Sequence, residues 1–264
     1  MINPHKRTVL LNKAEKKLRE HGLYALPVNL LSLLEKEDIS LFPTDGYADG
    51  VSGMLIKLKD DYCIVYSTRY QNPGFERFSI AHELGHFFAD DHPSLLTDNL
   101  HKSDAGVLSK NRYEQEADIF ASGLLMPEDI FKDYMDNYTF GLDGIIRMAE
   151  SCQTSLTATA IRYVELSNKP LIIILSTAGI INFCVVSEKI RFIRNKEIPR
   201  KGWPIPKDTA TATLAKNEAH ILNRERYSMS SDLSDWIDSE RPREAVEEAI
   251  GLGKYGKILT VITV

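Results

Sequence analysis

The run Arg77-Phe-Ser-Ile-Ala-His-Glu-Leu-Gly-His-Phe constrains this chain more than any other part of it. His82 and His86 lie four residues apart, so a helix through them places both imidazoles on one face, within reach of a single metal ion. Glu83 stands beside them, positioned to take a proton from an attacking water. Upstream, Asp61-Tyr-Cys-Ile-Val-Tyr-Ser-Thr is short and rich in β-formers and reads as a strand. Gln71-Asn-Pro-Gly then reads as a turn, with the helix following from about Phe75. An edge strand at that position would hold an extended peptide by main-chain hydrogen bonds.

His-Glu-x-x-His is the signature of zinc peptidases, and catalytic zinc keeps three protein ligands. The third must come from elsewhere. Asn111-Arg-Tyr-Glu-Gln-Glu-Ala-Asp-Ile-Phe-Ala-Ser-Gly-Leu-Leu-Met-Pro predicts a mostly buried helix ending near Pro127. Glu114 and Asp118 share a face of it with Ala117 and Ala121. Glu114 would bind the metal, and Asp118 would accept a hydrogen bond from a ligand histidine and fix its tautomer. Small alanines on that face permit a close helix–helix approach. Glu116 competes for the ligand position, but Phe120 stands where it would need a supporting acid. His92 and His101 are further candidate ligands. Either one, or Tyr113, could instead stabilise the oxyanion of a tetrahedral intermediate.

These residues resemble the ImmA/IrrE family of zinc metallopeptidases. The resemblance rests on Arg77-Phe-Ser-Ile-Ala-His-Glu-Leu-Gly-His and on Glu114-Gln-Glu-Ala-Asp-Ile-Phe-Ala-Ser-Gly-Leu-Leu-Met-Pro. It extends to Leu26-Pro-Val-Asn-Leu-Leu-Ser-Leu-Leu-Glu and Ser155-Leu-Thr-Ala-Thr-Ala-Ile-Arg-Tyr, covering roughly residues 12–168. It implies a mainly helical, gluzincin-like (zincin-like) peptidase domain with a small sheet. It also implies Zn2+ on His82, His86 and Glu114, with Glu83 as general base. The partner it implies is a protein substrate, a helix-turn-helix repressor of the Xre type, cleaved to derepress stress or mobile-element genes. The alternative is a non-catalytic regulator that keeps the metal fold and acts by ligand or protein binding through its C-terminal domain.

The 264 residues leave room for more than one compact unit, and 43% hydrophobic content is ordinary for a globular chain. A net charge of −5 argues against non-specific nucleic-acid binding. The three cysteines, Cys63, Cys152 and Cys184, show no metal-binding spacing and suit a reducing cytoplasm. No apolar run approaches the ~18 residues of a membrane span, and the N-terminal residues show no signal-peptide pattern.

The expected organisation is α+β throughout: a peptidase domain over residues 1–140, a helix-turn-helix-like segment over 141–168, and a smaller α+β domain over 169–264. In the middle segment, residues 142–150 and 155–166 read as helices. The second carries Arg162 as its one base, which favours packing over DNA binding. Beyond it, Leu171–Ser176, Ile180–Ser187 and the run from Lys257 read as strands. Helical patterns lie near Ala210–Arg224 and Pro242–Ile250. This domain is similar in length and position to the GAF-like sensory domain that some members of the family carry. Lys189, Arg191, Arg194, Lys196, Arg200 and Lys201 form a basic cluster, read as a solvated strand face, with docking of an acidic partner as the sharper reading. Ser228–Trp236 reads as a polar loop around an aromatic.

Overall fold

The structure is a computed structural model and describes residues 2–45, 51–59, 61–69, 71–89, 100–104, 111–193, 197–237 and 242–264. The chain forms two compact units, Met1–Tyr134 with Met148–Ser155, and Met135–Arg147 with Leu156–Val264.

In the first unit, α1 (Pro4–Glu20) starts on an Asn3 cap and buries Leu10, Ala14 and Leu18, a single stripe at four-residue spacing. Helix α2 (Leu30–Lys36) is capped by Asn29 and buries Leu30, Leu33 and Leu34. Strands β1 (Ile39–Thr44), β2 (Val51–Leu58) and β3 (Asp61–Ser67) precede α3 (Pro73–Phe88). Strand β4 (Leu100–Asp104) follows α3, and α4 (Arg112–Leu125) and α5 (Glu128–Asp136) come next. The sheet order is β1-β3-β2-β4, with β1 parallel to β3 and the other pairs antiparallel. Strand β3 is therefore not the edge strand that its place before the helix suggested. Strand β1 pairs along its far side, from Ile39 opposite Tyr62 to Thr44 opposite Ser67. Among the described residues, the sheet edges are β1 and β4. Cys63 and Cys152 are buried thiols, and burial pushes Cys152 up to about 12.

Helices α6 (Leu142–Cys152) and α7 (Leu156–Leu166) occupy the segment expected to be helical. Arg162, the base on α7, is buried and lies 3.6 Å from Glu165. A buried guanidinium cannot serve a DNA phosphate, so Arg162 acts within the packing of α7.

The second unit contains β5 (Leu171–Thr177), β6 (Ile180–Val186), α8 (Glu188–Ile193), α9 (Ala210–Ala215) and α10 (Glu218–Leu222). Strands β7 (Arg226–Asp232), β8 (Glu244–Gly251) and β9 (Lys257–Thr263) complete it. All pairs in its sheet are antiparallel, in the order β6-β5-β9-β8-β7. The central strands β5 and β9 are buried on both faces, which explains their unbroken apolar runs. One apolar cluster gathers Ile172, Ile174, Ile181, Leu233, Trp236, Ala245 and Ile262. Another gathers Ala210, Leu214, Ile221, Ala249 and Ile258. Between them on β8 lies Glu247, fully buried. Its Oε1 accepts from Thr211 N at 2.8 Å and Thr211 Oγ1 at 2.7 Å, and its Oε2 accepts from Trp236 Nε1 at 3.2 Å.

Three expectations fail in this unit. Pro242–Ile250 is not helical: from Glu244 it is strand β8, whose burial alternates at its start. Glu and Ala favour a helix locally, but β7 and β9 offer a hydrogen-bonding partner on each side, and pairing overrides propensity. Ser228–Asp232 is not a loop but most of β7, an edge strand on which Ser228 and Ser230 are exposed. The basic cluster does not lie on a strand face, because Glu188–Ile193 is helix α8. Arg194 and Lys196 of that cluster lie outside the described residues, and Arg200 pairs with Glu197 at 3.2 Å.

Strands β5 and β6 are joined by Ala178 and Gly179, both at positive φ (48° and 76°). Two left-handed residues in a two-residue hairpin define a type I′ turn, which favours Asn at its first position. Ala178→Asn should stabilise the fold by about 0.5–1 kcal/mol, read as a raised urea midpoint at unchanged slope.

Candidate metal centre

Helix α3 begins on Asn72, whose side chain accepts from Phe75 N at 3.1 Å, with Pro73 in its first turn. From Ser79 to His86 every residue is buried, so the helix runs through the interior. Helix α4 begins on an Asn111 cap and buries Glu114, Glu116, Ala117, Phe120, Ala121 and Leu124.

The two helices meet at Gly85 and Ala117. A Cβ on Gly85 would stand 2.8 Å from Ala117 Cα and 2.9 Å from its carbonyl oxygen. With glycine at the contact, the residues flanking Ala117 on α4 come within reach of the imidazoles of α3. His82 Nε2 lies 3.2 Å from Glu114 Oε2, His86 Nε2 lies 3.3 Å from Glu114 Oε1, and the two Nε2 atoms are 3.0 Å apart. Taking one ligand atom from each residue, the three donors lie within 4.8 Å of one another, close enough to share one ion. Two imidazole nitrogens and one carboxylate oxygen are also a common donor set for a catalytic ion, so the three residues fit a divalent metal.

His82 Nδ1–H donates to Asp118 Oδ1 at 2.9 Å, which leaves Nε2 facing the other donors. Burial works against charge on His82, but the hydrogen bonds to Asp118 and Glu114 and the charge of Glu83 outweigh it and push the imidazolium up to about 10. Three carboxylates around two buried histidines thus attract positive charge, whether carried by a proton or a metal.

Glu83 is fully buried on the same helix. Its carboxylate lies against β2: a Cβ on Gly53 would stand 2.7 Å from Glu83 Oε1. Sequence reasoning missed Gly53, although a glycine inside a strand is a usable sign of close approach. It also missed how Arg77 acts. Arg77 Nη2 donates to Val28 O at 2.7 Å and ties α3 to the segment before α2.

Glu116 is placed elsewhere. It lies 2.7 Å from Arg112 Nε and 3.2 Å from Lys6 Nζ. Burial pushes its carboxyl up, but those two cations outweigh it and hold it below the usual carboxylate range. Tyr113 lies in the first turn of α4. His101 lies on β4, its backbone paired with Leu55 of β2, and His92 falls outside the described residues.

Residues 32–162 match the family model described as the IrrE N-terminal-like domain, a family of peptidases. No curated protein matches the chain. Among solved structures, a Mycobacterium tuberculosis transcriptional regulator is similar, with a TM-score of 0.61 at 15% identity over 97% of this chain and 76% of that one. At that identity the likeness is one of fold. None of the described helices is long and apolar enough to cross a membrane.

Gly85→Ala tests the helix contact. Helix propensity alone favours the alanine by about 1 kcal/mol. Overpacking against the Ala117 backbone costs about 1–3 kcal/mol, so the variant should be less stable than wild type in denaturant unfolding. A more stable variant would mean that the helices do not meet there.

Proposed function

We propose that this chain, whose residues 32–162 belong to the IrrE N-terminal-like domain family, is a zinc-dependent endopeptidase. The observation that carries the reading is the buried donor set of His82, His86 and Glu114 with Glu83 beside it on α3. A zinc ion held by those three residues supplies Lewis acidity, for activating water and for polarising a scissile carbonyl. Glu83 is the general base: it takes the proton from the attacking water and delivers it to the leaving amine. Asp118 holds His82 in the tautomer that presents Nε2, and Gly53 leaves room for the Glu83 carboxylate against β2. The substrate strand adds to β4, the edge next to β2, where Gly53 pairs with Ser103.

The substrate class follows from the family resemblance: a helix-turn-helix repressor of the Xre type, cut to release stress or mobile-element genes in the cytoplasm. The fold likeness to a transcriptional regulator agrees with a role in gene control.

Elemental analysis of purified protein supplied with zinc should give about one zinc per chain, and His82→Ala and Glu114→Ala should lose it. Glu116→Gln should keep it, because Glu116 pairs with Arg112 and Lys6. Retention of zinc by Glu114→Ala would move the third ligand elsewhere. Glu83→Gln should keep both zinc and fold yet cut a repressor about 10²–10⁴-fold more slowly. Cleavage at the wild-type rate would exclude Glu83 as the base.

A further inference from the structure

The sheet of the second unit ends on β6 at one side and on β7 at the other, and the two edges differ. At the start of β6, Ile181 N donates to Trp203 O at 2.8 Å and Gly202 N donates to Ile181 O at 2.8 Å. Ile180 also bridges Pro204, and Ile180 alone among the residues of β6 is exposed. A register shift interrupts the pairing of β6 with β5. Cover and irregularity of this kind guard an edge against pairing with another chain. Strand β7 has no such cover among the described residues. It runs Arg226-Tyr-Ser-Met-Ser-Ser-Asp, without proline, lysine or register shift, and Arg226, Ser228, Met229 and Ser230 are exposed.

The direction of its backbone groups follows from its two ends. Leu233 N donates to Arg243 O at 2.9 Å, and Gly251 N donates to Glu225 O at 3.1 Å. Antiparallel ladders alternate, and the register from Arg226 opposite Ile250 to Asp232 opposite Glu244 is unbroken. The odd-numbered residues therefore turn their N–H and C=O groups toward β8. Arg226, Ser228, Ser230 and Asp232 turn theirs outward. Of these outward donors, Asp232 N is held by Asp235 Oδ2 at 3.1 Å.

An outward row of main-chain groups accepts a further strand, and this strand is complementary to itself. Antiparallel pairing about a two-fold axis at Met229 sets Arg226 opposite Asp232, Tyr227 opposite Ser231, and Ser228 opposite Ser230 of a second copy. No other self-pairing uses the whole strand. This one joins outward groups to outward groups, puts opposite charges at both ends, and brings the exposed Met229 side chains together at the axis. Arg226 pairs with Asp143 at 2.9 Å, and Asp232 Oδ1 accepts from Ser234 N at 2.8 Å. The facing charges add to those bonds rather than replace them.

We propose that β7 is the edge through which two copies of this chain pair antiparallel, joining their sheets into one. A single strand pair lies at the small end of protein interfaces, below about 1,200 Å² in total, so the dimer is reversible. The proposal does not depend on the peptidase reading.

Sedimentation equilibrium of the full-length protein, from micromolar to about 0.5 mM, should show a monomer passing to a dimer as concentration rises. Ser228→Lys with Ser230→Lys sets like charges directly opposite one another at exposed positions. That variant should stay monomeric with its circular dichroism unchanged. Met229→Cys places two thiols across a non-hydrogen-bonded pair, with Cα atoms about 4.5 Å apart, as a disulfide needs. Diamide should therefore cross-link it at least about tenfold faster than Ser228→Cys, whose thiols are offset along the strands, or than wild type. A monomer at every concentration would overturn the proposal and leave the edge to a strand of another protein. A dimer that survives both lysine substitutions, or cross-linking of Met229→Cys no faster than that of Ser228→Cys, would overturn it as well.

Discussion

The contact between Gly85 on α3 and Ala117 on α4 is the constraint on which the candidate metal centre depends. His82, His86 and Glu114 are buried, and burying ionisable groups is unfavourable unless they satisfy one another. Only a close helix crossing brings them near enough to do so. The apolar residues around them, among them Leu84, Phe88, Phe120 and Leu124, stabilise an arrangement that the polar groups alone would not. Asp118 then orients His82, and Gly53 admits Glu83, so each polar group is positioned by a small residue or an acid on a neighbouring element.

Much of that centre was legible because its chemistry imposes spacing. Histidines four apart, and an acid four residues from another acid, are helix-face statements that survive any tertiary context. Glu114 and Glu116 differ by only two residues, yet they end on different partners, as helix geometry requires. What the sequence hid was the sheet behind the helix. Strand β1 carries Pro43 at an edge, β2 carries Gly53, and β4 reads Leu-His-Lys-Ser-Asp, so none shows clean alternation. Strands β1 and β2 form because β3 offers both its sides, and β4 because β2 offers its far side, which is tertiary information absent from any short window.

The second unit divides along the same line. Strands β5 and β9 announce themselves through apolar runs, because the sheet centre is buried on both faces. Strands β7 and β8 do not, because one is polar and the other is rich in Glu and Ala. Glu247 shows why the second is misleading. In isolation it looks like one more solvated glutamate on a charged helix. In the fold it lies between two apolar clusters and gathers Thr211 and Trp236 onto β8. A buried acid with three donors specifies register, since a one-residue slip would send it to the other face of the sheet.

The path of the backbone has a consequence for how the protein can be altered. It leaves the first unit after Tyr134, returns for Met148–Ser155, and leaves again. Helix α6 is thus shared, its opening turns counted with one unit and its closing turns with the other. No single cleavage of the chain releases either unit whole. A truncation before Met135 that removes the second unit also takes away Met148–Ser155 of the first, and one after Ser155 strands Met135–Arg147 of the second. The two halves are therefore inherited, and lost, together.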